Sequence, residues 1–129
     1  MTSKAARAAV AAPLVAVAAF AVALAHAGPT ADVRAVLREA ARAAAAGTQG
    51  ERRLTLLSRI AFLQSRAGDT AGALGTARDA LAAPGAQKPD AEAMQALAIL
   101  ITVQARAGDR AAAMQTLKRL MNGVPADRR

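Results

Sequence analysis

Apolar side chains recur at steps of three and four residues in two separate stretches of the chain. They are Leu54, Leu57, Ile60 and Ala61 in the first stretch, and Leu97, Leu100 and Ile101 in the second. This spacing aligns them along one face of a helix and predicts two amphipathic helices. β-Branched and aromatic residues, which favour strands, are few. The pattern therefore predicts an all-α fold.

The same turn signal follows both apolar stretches. Gly68 and Asp69 follow the first, and Gly108 and Asp109 follow the second. Glycine adopts the left-handed conformation that closes a helix. Aspartate accepts hydrogen bonds from the free N–H groups at the start of the next helix. We therefore interpret both aspartates as helix caps rather than as catalytic carboxylates, and predict a helical hairpin around each turn.

The two hairpins are copies of one sequence repeat. Residues 64–81 and 104–121 align without a gap at an offset of 40, and eight of the 18 positions are identical. The second helix of each copy is predicted to end at Pro84 and Gly85 or at residues 123–125.

One more helix is predicted ahead of the repeats, over residues 31–46, with Asp32 as its N-cap. Its apolar face consists of Val33, Val36, Leu37, Ala40 and Ala44. On another face Arg34, Arg38 and Arg42 recur every four residues, with Glu39 nearby. We interpret this helix as the second half of a preceding repeat, so the sequence predicts about five helices.

The residues around each turn resemble the second half of a tetratricopeptide repeat. The matching positions are Ala67, Gly68, Asp69, Ala73, Leu74, Ala80 and Leu81 in the first copy, and Ala107, Gly108, Asp109, Ala113, Met114 and Pro125 in the second. Two full repeats then cover residues 54–85 and 94–125, and residues 84–89 lengthen the spacing beyond that family's usual value.

This resemblance implies a short right-handed solenoid of antiparallel helix pairs over residues 28–129. The chain departs from the family at four places where aromatic residues are usual, namely Gln64, Gln104, Ala77 and Leu117. A spacing of 40 residues also fits HEAT or armadillo repeats, whereas the Gly-Asp turn fits the tetratricopeptide pattern better.

The resemblance also implies a concave face, made of the first helices, that binds a peptide or a partner helix. By position the candidate binding residues are Thr55, Arg59, Phe62, Arg66, Gln95, Thr102 and Arg106. Arginines there suit an acidic segment or a free carboxylate, which a guanidinium can bind through two N–H groups. In the alternative interpretation the arginines only solvate helix ends and favour the C-terminal dipole, and Phe62 belongs to the core.

The N-terminal residues have the three parts of a secretory signal peptide. Lys4 and Arg7 precede an uncharged apolar run over residues 8–25, and Ala25 and Ala27 form a small-residue cleavage site. We predict cleavage after Ala27 and a periplasmic or secreted bacterial protein. The alternatives are an inner-membrane anchor formed by residues 8–25, or an ordinary N-terminal helix.

The composition argues against an enzyme. The chain has no cysteine, and removal of residues 1–27 takes away its only histidine. Nucleophilic triads and zinc sites then lack their usual side chains. Asp90 and Glu92 lie two residues apart, so they would face different directions on a helix. We therefore predict no catalytic residues, no metal and no cofactor.

The charge leaves a second functional class open. The net charge of +8 falls to +6 once Lys4 and Arg7 are removed, so binding of a polyanion is an alternative. The basic residues are scattered, and no Trp or Tyr is present to stack on bases, so no nucleic acid is expected. Our main prediction is an exported adaptor or scaffold for protein–protein interaction. Its thin core also predicts stabilisation by a partner or by homodimerisation.

Overall fold

The computed structural model describes residues 30–82 and 88–128, and these are all-α. Their five α-helices are α1 (Thr30–Gly47), α2 (Gly50–Arg66), α3 (Thr70–Leu81), α4 (Ala91–Arg106) and α5 (Arg110–Gly123), followed by a 3₁₀ turn at Ala126–Arg128. The predicted all-α, repeat-like fold with five helices is confirmed. The predicted signal peptide and the stop at Pro84 and Gly85 lie outside the described residues.

By its internal contacts the chain divides into two units, residues 1–36 and 37–129. Of the first unit, only residues 30–36 at the start of α1 are described. Because α1 as described begins at Thr30, Asp32 lies inside its first turn. The prediction that Asp32 caps this helix is therefore wrong. Within the second unit, Leu37 and Ala44 of α1 are buried.

The two Gly-Asp turns build α2–α3 and α4–α5 as helical hairpins. Gly68 and Gly108 have φ angles of 78° and 80°, in the left-handed region that glycine tolerates. Asp69 Oδ1 accepts a hydrogen bond from the Gly72 N–H at 3.1 Å, and Asp109 Oδ1 accepts one from the Ala112 N–H at the same distance. The predicted caps are therefore confirmed, at both turns.

The core lies between these hairpins. α2 packs against α3 and α4, and α4 packs against α5. Its buried apolar side chains include Leu54, Leu57, Ile60, Ala61, Ala73, Ala77, Ala80, Ala93, Ala96, Leu97, Leu100 and Val103. Half of these residues are alanines, whose small side chains let helices approach closely. The close packing of α2 on α4 sets two first helices side by side, which positions the candidate site.

Candidate functional site

Two rows of side chains on α2 and α4 contain all the predicted binding residues. The row on α2 is Thr55, Arg59, Phe62 and Arg66, and the row on α4 is Gln95, Ile99, Thr102 and Arg106. Both rows step by four, three and four residues, so each follows one helix face. Because α2 and α4 pack against each other, the rows line one surface, which we call the α2–α4 groove.

The C-terminal end of the α2–α4 groove is basic. Arg66 and Arg106 line one cavity of about 530 Å³. The other residues that line it are Ser65, Thr70, Ala73 and Ala107. None of these six residues is acidic, and Arg66 and Arg106 are both exposed. This end of the groove can therefore accept a negatively charged group.

Identical turn geometry brings the two arginines to equivalent places. The Asp69 N–H donates to the carbonyl of Gln64 at 2.9 Å, and the Asp109 N–H donates to that of Gln104 at 3.0 Å. Thr70, the first residue of α3, lines the same cavity. The cavity thus meets the partial positive charge at the start of α3 and the partial negative charges at the ends of α2 and α4, which oppose one another.

Phe62 contributes to both the groove and the core. Its side chain is half-buried and packs against the hydrophobic core. The guanidinium carbon of Arg66 lies 6.0 Å from the centroid of the Phe62 ring, at the outer range of a cation–π contact. The two interpretations of Phe62 from the sequence are therefore compatible, because one face of the ring supports Arg66 and the rest of the side chain fills the core.

The other end of the α2–α4 groove carries charges of both signs. Arg59 Nη2 lies 3.8 Å from Glu92 Oε1 of α4. A cavity of about 510 Å³ at this end is lined by Glu51, Arg52, Thr55, Leu56, Arg59, Asp90 and Glu92. Thr55, Arg59 and Gln95 also share one narrow cleft between the helices. Because Glu92 balances its charge, Arg59 is less available than Arg66 and Arg106 to bind an anion.

Thr102 is exposed and is bonded within its own helix. Its hydroxyl donates to the carbonyl of Ala98 at 3.1 Å. This bond uses the only hydroxyl proton, so Thr102 can offer a ligand its oxygen as an acceptor.

Sequence reasoning missed the acidic side chains at this end. Asp90 and Glu92 were expected to face different directions, yet both line the same cavity. Asp90 lies just outside α4, as its N-cap, and its Oδ1 accepts from the Ala93 N–H at 2.7 Å. Helical spacing does not apply across a helix start. The sequence signal for this helix start was the pair Pro89 and Asp90 ahead of an apolar helical stretch.

A second charged contact lies outside the α2–α4 groove. Arg38 of α1 donates from Nε to Asp69 Oδ2 and from Nη2 to Asp69 Oδ1, both at 2.8 Å. The hydrogen bonds with Asp69, and then its charge, raise the pKa of Arg38 above its ordinary value. Arg42 donates to Glu39 at 3.3 Å instead. On the predicted arginine face of α1, Arg38 therefore bonds to a residue outside the helix, whereas Arg42 bonds to a residue within it.

No protein-family model, curated protein or solved structure matches the chain. Among the residues that the structure describes, no helix is both long enough and apolar enough to cross a membrane. In the same residues no group of three or more His, Cys, Asp or Glu side chains is arranged to hold a metal ion.

Proposed function

We propose that this protein is an adaptor related to the tetratricopeptide repeats, and that it binds an acidic peptide segment in the α2–α4 groove. The observation that carries the proposal is the cavity shared by Arg66 and Arg106, which has no carboxylate in its lining. Guanidinium groups bind carboxylates through paired, charge-assisted hydrogen bonds. The packing of α2 on α4 holds the backbones of the two arginines in place, while their exposed side chains have to be ordered on binding.

Peptide binding is tested with a capped, dye-labelled peptide that carries three glutamates, followed by fluorescence anisotropy. The double variant Arg66→Ala/Arg106→Ala should lower the affinity about tenfold, because it removes both charge-assisted contacts. The matched control is Arg42→Ala/Arg128→Ala, which removes two exposed arginines outside the groove. An unchanged affinity in the first variant would contradict the proposal.

Polyanion binding is the second candidate function, and the net charge of +6 that remains without residues 1–27 favours it. If the protein binds polyanions, both double variants should weaken peptide binding equally. A polyanion such as heparin should then compete with the peptide at low ionic strength, whatever the peptide sequence. Unequal effects of the two variants support the adaptor.

We also propose that the adaptor acts outside the cytoplasm, since residues 1–27 carry the charge, the apolar run and the small residues of a signal peptide. The intact mass of the protein from fractionated cells tests this proposal. A soluble envelope species that begins at Gly28 would support export and cleavage. A full-length species in the membrane fraction would support an anchor formed by residues 8–25, and a full-length cytoplasmic species would contradict both.

A further inference from the structure

We propose that the α2–α4 groove is electrically polar and selects an extended segment with carboxylates at one end and a cation at the other. The carboxylates lie at Arg66 and Arg106, and the cation lies near Glu51, Asp90 and Glu92. This inference rests on the proposed function, since it assigns both ends of the ligand to the same groove.

The charges that line the two ends of the groove differ in sign. The cavity at the C-terminal ends of α2 and α4 has two arginines and no acid. The cavity at their N-terminal ends has three acids and two arginines. One of those arginines, Arg59, is paired with Glu92 at 3.8 Å. The lining side chains therefore carry a net charge of +2 at one end and of −1 at the other.

The rows of side chains connect these two cavities. Thr55 and Arg59 line the acidic end, and Arg66, on the same face of α2, lines the basic end. Phe62 lies between them and is half-buried, with its ring against Arg66 and the core. The two cavities therefore belong to one continuous surface along α2 and α4.

Helix geometry fixes the length of the ligand. Glu92 and Arg106 are 14 residues apart on α4, which at the α-helical rise corresponds to about 21 Å. An extended chain covers this distance with about six or seven residues. The partner we infer is an extended segment of that length, with a lysine or arginine near one end and two or more acids at the other.

Two capped, dye-labelled eight-residue peptides of identical composition test the polarity by fluorescence anisotropy. Each carries two glutamates at one end, and a single lysine lies either at the far end or beside the glutamates. We expect the peptide with the distant lysine to bind about two- to fivefold more tightly, the range of one exposed ion pair. Each peptide is also made with its sequence reversed, because the charges do not fix the chain direction.

The variant Glu51→Gln/Glu92→Gln should abolish this preference, while Asp79→Asn/Asp127→Asn, which removes two exposed acids elsewhere, should retain it. If wild-type protein binds both peptides equally, the polarity is overturned while acidic-peptide binding stands. If it binds neither of them, nor the glutamate peptide described above, the proposed function fails and the polarity fails with it. A preference that survives Glu51→Gln/Glu92→Gln would place the lysine elsewhere and also overturn the inference.

Discussion

The two Gly-Asp turns share one backbone but hold their aspartates differently. Their glycine φ angles differ by only two degrees, and both cap bonds measure 3.1 Å. Asp69 is nevertheless buried and bound through both oxygens to Arg38, whereas Asp109 is half-buried. The repeat sequence therefore determines the turn, and a neighbouring helix determines what the capping carboxylate binds.

The second turn has a basic residue at the equivalent sequence distance. Arg38 precedes Asp69 by 31 residues, and Arg78 precedes Asp109 by the same number. In the described part of the chain, however, no ion pair joins Arg78 to Asp109. Arg78 instead lines a surface cavity with Gln104 and Arg119.

A single glycine explains part of this difference. A Cβ atom at Gly72 would overlap Oδ2 of Asp69, so only glycine leaves room for the carboxylate in the position that binds Arg38. The corresponding residue in the second hairpin is Ala112. The sequence of the second hairpin therefore does not leave the same space beside its capping aspartate.

Removing the two capping carboxylates gives the largest expected effect. Asp109→Ala should lower the free energy of unfolding by about 1 kcal/mol, the usual value of a helix cap. Asp69→Ala should cost roughly twice as much, because it also removes the charge-assisted bonds to Arg38. Urea unfolding of the two variants measures the difference. Equal losses would mean that the Arg38–Asp69 ion pair adds nothing to the cap.

The substitution Gly72→Ala should have the next largest effect. It should lower the free energy of unfolding, although a Gly→Ala change inside a helix usually raises it. Alanine for glycine inside a helix ordinarily stabilises by about 0.5–1 kcal/mol. At Gly72 the new methyl group must displace the Asp69 carboxylate from Arg38, so we expect a loss of about 1 kcal/mol in thermal or urea unfolding.

Gly75→Ala on the same helix is the matched control, because no atom beyond its chain neighbours and the adjacent helix backbone lies within 4 Å of its added Cβ. It should stabilise by about 0.5–1 kcal/mol. In the Asp69→Ala background, Gly72→Ala should become stabilising as well. If it stays destabilising there, the overlap with Asp69 is not the cause.

These contacts show which features the sequence could predict. The helices, the Gly-Asp turns and the two rows along α2 and α4 follow from local spacing, so periodicity was enough to predict them. The Arg38–Asp69 ion pair joins residues 31 positions apart, and its partners depend on how helices stack. The same holds for Arg59 and Glu92 across α2 and α4. The sequence identified the arginines of the candidate site but not the acid that balances one of them.

The smallest expected effect concerns two equivalent buried glutamines. Gln104 Oε1 accepts a hydrogen bond from Thr116 at 2.8 Å, while Oε1 of Gln64 is buried without a hydrogen-bond partner in the described residues. Replacing an unsatisfied buried carbonyl by an apolar group of similar shape is neutral or stabilising. Gln64→Leu should therefore leave the free energy of unfolding unchanged or raise it by up to about 1 kcal/mol.

Gln104→Leu should instead lower the free energy of unfolding by about 1 kcal/mol. The loss stays modest because the Thr116 hydroxyl also contacts the carbonyl of Ala112 at 3.0 Å and retains that partner. Urea unfolding measures the change in the free energy of unfolding for both variants, provided that its dependence on urea concentration stays unchanged. Equal losses at the two positions would show that the Gln64 side chain is satisfied in solution, as that of Gln104 is.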